Sequence, residues 1–117
     1  MNTREQGKLY EEQAAQYLVS KGYVILERNY HTHFGEIDII AMEGGYLVFI
    51  EVKYRKNANV QHPAAAVGAV KQSRICKCAL TYIKKQNIDD SFPVRFDVLS
   101  ILGETISLYK NAFDFVI

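Results

Sequence analysis

Asp38, Glu51, Lys53 and Glu11 stand out because they place charge on segments that otherwise read as buried strand or helix. Residues 36–42 (EIDIIAM) alternate as a strand does, with Glu36, Asp38, Ile40 and Met42 on one face and Ile37, Ile39 and Ala41 on the other. Along residues 46–54 (YLVFIEVKY), Leu47, Phe49, Glu51 and Lys53 share a face, opposite Tyr46, Val48, Ile50, Val52 and Tyr54. Glu51 and Lys53 therefore stand ~7 Å apart along one strand. Glu43-Gly44-Gly45 between the two segments is a tight hairpin signal, so the strands are antiparallel neighbours and Asp38 can converge on Glu51. Carboxylates on apolar strands cost several kcal/mol unless something offsets the lost hydration. A divalent cation does so. Mg²⁺ favours one or two carboxylates, a backbone carbonyl and waters, a set that Asp38, Glu51 and the carbonyl of Val52 would supply. Lys53 beside the ion would orient or deprotonate an attacking water and offset charge developing on a phosphate. The ion itself would act as Lewis acid and water activator. A plain Glu51–Lys53 or Asp38–Lys53 ion pair at a solvated sheet edge fits the same spacing, and the spacing does not choose between the two.

Two helices must bring up the rest. Residues 3–21 read as a helix, with Thr3 as N-cap, Gln6 completing a capping box and Gly22 as the stop. At ~100° per residue, Gly7, Tyr10, Ala14, Tyr17 and Leu18 form one arc, and Glu11 falls on it while Glu12 points away. Glu11 is thus a further ligand candidate, or a residue at the rim of the arc that reaches water. Residues 64–87 read as a long helix with Cys76, Ala79, Leu80 and Ile83 inward. Gln72 lies in the same arc, where it suits a scissile phosphate or a metal-bound water. Lys71, Arg74, Lys77, Lys84 and Lys85 lie off the arc. Lys71, Arg74 and Lys77, together with Arg55 and Lys56 in the loop after the third strand, are candidates to hold a nucleic-acid backbone. Any solvated amphipathic helix would show a similar basic face.

The remaining elements complete a scaffold. Residues 23–30 form a first strand, 36–42 a second and 46–54 a third. Residues 55–62 form a loop, 94–102 a fourth strand and 105–109 a short fifth. The apolar tail from Asn111 to Ile117 packs back on the core. Helix, three-strand meander, helix and strand pair imply one α/β (α+β) domain over residues 1–117, a mixed sheet with helices on its faces. No Gly-rich phosphate loop of the usual spacing appears. His31 and His33 share a face of an extended segment but lack further ligands at zinc spacing, so they read as a turn pair beside the site. Arg95 and Asp97 read as a structural ion pair. No Ser-His-Asp or Cys-His arrangement has suitable context.

Charge is unevenly spread. Residues 1–51 carry four Lys/Arg and eight Asp/Glu, whereas residues 52–88 carry eight Lys/Arg and no acid. An acidic half followed by an acid-free basic stretch suits a protein that holds cations beside a polyanion, although a basic helix face alone would give the same pattern. The two cysteines, Cys76 and Cys78, are two apart on a helix and cannot easily bridge, so they read as free thiols. No stretch approaches the ~20 apolar residues of a membrane span. No charged-then-apolar leader opens the chain, which reads as cytoplasmic.

Gly35-Glu36-Ile37-Asp38-Ile39-Ile40 and Phe49-Ile50-Glu51-Val52-Lys53-Tyr54-Arg55 resemble the signature of the YraN-type endonuclease family, bacterial proteins distantly similar to archaeal Holliday junction resolvases. Supporting matches are Gly7 and Glu11, Ala64-Ala65-Ala66 before Lys71-Gln72, Arg95-Phe96-Asp97-Val98 and Asn111-Ala112-Phe113. The resemblance implies a restriction-endonuclease-like core of about five strands, with Asp38, Glu51 and Lys53 as its catalytic motif. It also implies Glu11 as the early helical glutamate that helps bind metal, and Gln72 as a polar position on the following helix. His31-Thr32-His33 departs from the pattern, standing where basic residues are common. The expectation is a Mg²⁺- or Mn²⁺-dependent DNA endonuclease, acting on branched or structured DNA and dimeric by analogy with resolvases. A DNA-binding module that keeps the fold without cutting is the alternative.

Overall fold

The computed structural model describes residues 3–55 and 66–116. Chain order is α1 (Thr3–Ser20), β1 (Val24–Thr32), β2 (Gly35–Glu43), β3 (Tyr46–Arg55), α2 (Ala69–Lys85), β4 (Val94–Leu102) and β5 (Thr105–Phe113). The strands form one sheet in the order β1-β2-β3-β4-β5. All neighbours are antiparallel except β3 and β4, which are parallel. The parallel pair requires a crossover, and α2 lies within it.

Period-2 alternation in β3 and β4 gives the sheet two apolar faces, and each helix covers one. Ala14, Ala15 and Leu18 of α1 pack on Ile39, Ala41, Val48, Ile50, Leu99 and Ile101. Cys76, Cys78, Ala79, Tyr82 and Ile83 of α2 pack on Ile40, Leu47, Phe49, Phe96 and Val98. Phe49 and Phe96 stack at 5.6 Å and are fully buried. Burial of each such side chain contributes ~2–3 kcal/mol. The mixed sheet with helices on both faces is the architecture expected from the order of elements.

Several details differ from the sequence reading. Thr3 is itself helical, so the N-cap lies outside the described residues. Gly22, at φ 92°, ends α1 as expected: Tyr23 N–H donates to the carbonyl of Leu18 at 3.0 Å. The inward stripe of α2 is wider than the four residues expected: Ile75, Cys78 and Tyr82 are buried with Cys76, Ala79 and Ile83, while Leu80 is half-buried. The helix stops at Lys85, because Asn87 takes the left-handed conformation at φ 53°. Strand β5 runs on to Phe113 instead of ending at residue 109. Asn111, at φ 55°, absorbs a register shift opposite Phe96–Val98, after which pairing resumes at Phe96↔Phe113. The tail then returns to the core as expected, with Phe113 and Phe115 against Phe96. Cys76 and Cys78 are buried and unbridged. Lys56 and the rest of the 55–62 loop after Arg55 lie outside the described residues.

Candidate functional site

The site forms where β2 and β3 part. Their pairing runs from Glu43↔Tyr46 to Ile39↔Ile50 and stops there. One residue further on, Asp38 Oδ2 accepts a hydrogen bond from Val52 N–H at 2.8 Å, so a side chain replaces the backbone rung. On the other flank, Asn29 of β1 sits at φ 53° between the pairs Arg28↔Ile39 and Tyr30↔Ile37. Ile37 joins Ile40 in the α2-side core while Ile39 and Ala41 stay on the α1 side. The strict alternation expected of residues 36–42 therefore holds only from Ile39 onward. Asp38 is placed at the slip and borders hollows on both sides of the sheet.

The hollow on the α2 side measures about 640 Å³ and is lined by Glu36, Asp38, Glu51, Lys71, Arg74 and backbone at the start of α2. Glu51 is only 7 % exposed, and its Oε1 contacts the ammonium of Lys71 directly. Burial pushes the Asp38 carboxyl up to about 7; the charge of Glu51 adds to the rise, and the bond from Val52 opposes it. Lys53 is half-buried on the same strand face as Glu51. Burial lowers its ammonium from the ordinary lysine range, and Arg55 and Lys71 lower it further against the pull of Glu51. A partly dehydrated carboxylate pair that holds a proton near neutrality, with one member leaning on an ammonium, is a donor set suited to a divalent cation.

The other candidates fall at varied distances from this pair. Glu11 lines the hollow on the α1 side together with Asp38. Among the described residues, however, no three His, Cys, Asp or Glu side chains gather around one point. Glu36 turns to the rim, where its Oε1 lies 3.5 Å from His31 Nε2. Gln72 is not in the lining; its amide donates to the carbonyl of Val67 at 2.7 Å and fastens the entry to α2. This is a local role that the inward helical position did not reveal. Arg74 is at the site, Lys77 lies 5.7 Å over the Phe34 ring, and Arg55 is exposed at the end of β3. The direct Lys71–Glu51 contact was not foreseen, because spacing along α2 does not fix how near the helix comes to β3.

Asp38 also makes stability depend on pH. The folded state holds its proton more tightly than the unfolded chain, whose carboxyl titrates near 3.8. Below that pH both states are protonated. As pH rises to about 7 the unfolded state alone gains from ionisation, so stability falls across this window. The loss is on the order of 2–4 kcal/mol. Asp38→Asn can still accept the Val52 bond and carries no charge. Without added metal it is expected to melt higher than wild type at pH 8 and within ~2 °C of it at pH 4, as read by circular dichroism. A variant that melts lower than wild type at pH 8 would show that Asp38 is not strained by burial.

A mixed five-stranded sheet between two helices, parting at an Asp opposite a Glu-x-Lys strand, is an α+β fold compatible with a restriction-endonuclease-like core. The chain belongs to the uncharacterised protein family UPF0102, whose pattern matches residues 10–101 and so spans Glu11, Asp38, Glu51 and Lys53. This is the YraN-type family that residues 35–55 resemble. The chain is 49% identical over 114 residues to a UPF0102 protein of Lachnoclostridium phytofermentans, covering 97% of both chains. It is 46% identical to one of Legionella pneumophila, covering 96% of this chain and 97% of the other. A UPF0102 protein of Dictyoglomus turgidum is 45% identical over 97% of this chain and 100% of its own length.

Proposed function

We propose that this protein is a Mg²⁺- or Mn²⁺-dependent DNA endonuclease acting in the cytoplasm. The observation that carries the reading is the Asp38–Glu51 pair, set where two strands separate and largely buried, with Asp38 holding its proton well above the ordinary carboxylate range. Asp38 and Glu51 would hold the cation, with the carbonyl of Val52 as a third donor. Bound there, the ion supplies Lewis acidity toward a phosphodiester and a lower pKa for water. Lys53, whose ammonium titrates below the ordinary range, is suited to take a proton from water and to balance charge on the phosphate. Lys71 and Arg74 line the same hollow and give a DNA backbone two cations to approach. Glu11 lies behind Asp38 as a further carboxylate within the same wall. No helix among the described residues is long and apolar enough to cross a membrane.

The test is cleavage of branched and single-stranded DNA with Mn²⁺, comparing wild type with Asp38→Ala and Lys53→Ala. Loss of cutting in both variants supports the reading. Salt-sensitive binding without cutting in the wild type would mark a DNA-binding module instead.

A further inference from the structure

The hollow on the α1 side of Asp38 shares Asp38 and Val52 with the proposed cation site, but Glu51, Lys71 and Arg74 lie outside its lining. It measures about 230 Å³, and its walls include Gln6, Gly7, Tyr10, Glu11 and Tyr54. We propose that it receives the base of an unpaired nucleotide beside the bond to be cut, so that the substrate is DNA with a single-stranded or frayed stretch at the cleavage point. This deepens the nuclease reading above and rests on it.

Three observations support a base as the occupant. First, size: typical drug-sized ligand pockets run from roughly 300 to 1,000 Å³, so this smaller space suits one flat ring system. Second, the walls: Tyr10 and Tyr54 stack face to face at 3.5 Å and 16°, a fixed aromatic platform at the edge of the space. Bases stack on such platforms with little regard to sequence. Gln6 offers both a donor and an acceptor, and Glu11 an acceptor, to the polar edge of a ring. Third, position: Asp38 borders this hollow and also the one holding Glu51, Lys71 and Arg74. A nucleotide whose phosphate faces the carboxylate pair can therefore place its base on the far side of the Asp38 wall. A base inside an intact duplex cannot reach there, and extruding it costs pairing and stacking energy that an unpaired strand does not spend.

Gly7 makes the inference testable. A Cβ built on it meets no atom within 4 Å, so the start of a Gly7→Leu side chain is accommodated and the rest adds bulk at the wall of the hollow. The change also favours the helix. Binding is measured with the full-length protein and Ca²⁺ in place of Mn²⁺, using oligonucleotides that carry one 2-aminopurine. The three forms are a single strand, a duplex with a frayed end and a blunt duplex of matched length.

Wild type is expected to bind the two unpaired forms ~10-fold or more tightly than the blunt duplex, with 2-aminopurine emission quenched by stacking. Gly7→Leu and Tyr54→Leu should reduce that preference to within ~2-fold while leaving Mn²⁺ affinity unchanged. Equal wild-type affinity for all three forms, or an undiminished preference in Gly7→Leu, would overturn the base site and leave the nuclease reading standing. Competition by free deoxyadenosine monophosphate as effective as the single strand would overturn it in favour of a free nucleotide. Base preference with no cutting in Mn²⁺ would support the site and sink the nuclease reading.

Discussion

With Mn²⁺ and saturating DNA, Asp38→Ala is expected to cut on the order of 10³-fold or more slowly than wild type, and Lys53→Ala ~10²–10³-fold more slowly. The two losses have different origins. Asp38 is fixed by the Val52 N–H and faces Glu51, so its removal leaves one carboxylate already satisfied by Lys71 and takes away the charge that would draw a cation in. Lys53 is not a ligand. Its removal should leave metal affinity within ~3-fold and lower the rate of the chemical step, the pattern of a group that acts mainly in the transition state. Because burial, Arg55 and Lys71 all lower the Lys53 pKa, raising the pH toward its titration range should increase the wild-type rate but not that of Lys53→Ala. Gel-based cleavage rates across pH separate these cases. Lys53→Ala at wild-type rate would remove it from the chemistry.

The second large effect is on folding. Asp97→Ala is expected to cost ~3–5 kcal/mol, a fall in Tm of roughly 12–20 °C. Asp97 is 0 % exposed and fully engaged. Its Oδ1 accepts from Arg95 Nε at 2.8 Å and from Asn111 N–H at 2.9 Å, and its Oδ2 accepts from Tyr23 Oη at 2.7 Å and from an Arg95 terminal nitrogen at 2.8 Å. The same guanidinium reaches Glu43 Oε1 at 2.7 Å. This network ties the turn between α1 and β1, the β2–β3 hairpin, β4 and the bulge in β5. Asp97 and Glu43 raise the Arg95 pKa further, and burial together with Asp97 raises that of Tyr23. Removing Asp97 strands a half-paired guanidinium in the core. Removing both charges in Arg95→Met/Asp97→Leu should cost less than the two single changes summed, because neither charge is then left without its partner. Thermal melts of the three variants decide this. A Tm for Asp97→Ala within ~2 °C of wild type would contradict the role given to the network.

How much could be read from residues alone depends on whether the governing interaction is local. The strands and helices were legible because the β-branched and aromatic run of residues 46–54, the turn residues that bound the strands and the helical spacing in 3–20 are local features. Arg95 and Asp97 share a strand face, so their pairing could be read too. Tyr23, Glu43 and Asn111 come from distant parts of the chain and could not be added to it. The break in alternation at Ile37 was hidden because it shows only in how β2 meets the two helices, with Ile37 on the α2 side and Ile39 on the α1 side. The reach of β5 was missed because Lys110-Asn111 looks like a turn until the left-handed Asn111 is seen to be a bulge within a strand. For Glu11, the helical wheel gave the correct side of α1. It could not give the height along the axis, which places Glu11 beside Asp38 but not with Glu51. Gln72 shows the same limit in reverse: it is half-buried, and a nearby carbonyl takes its amide.

The most direct measurement is a calorimetric titration of the metal-free protein with Mn²⁺, run beside Asp38→Asn and Glu51→Gln. One ion per chain in the wild type, with protons released as Asp38 ionises and with binding lost in both variants, is the expected result. A wild type that takes up no Mn²⁺, or variants that bind it as well as the wild type does, would contradict the assignment of this carboxylate pair as a cation site.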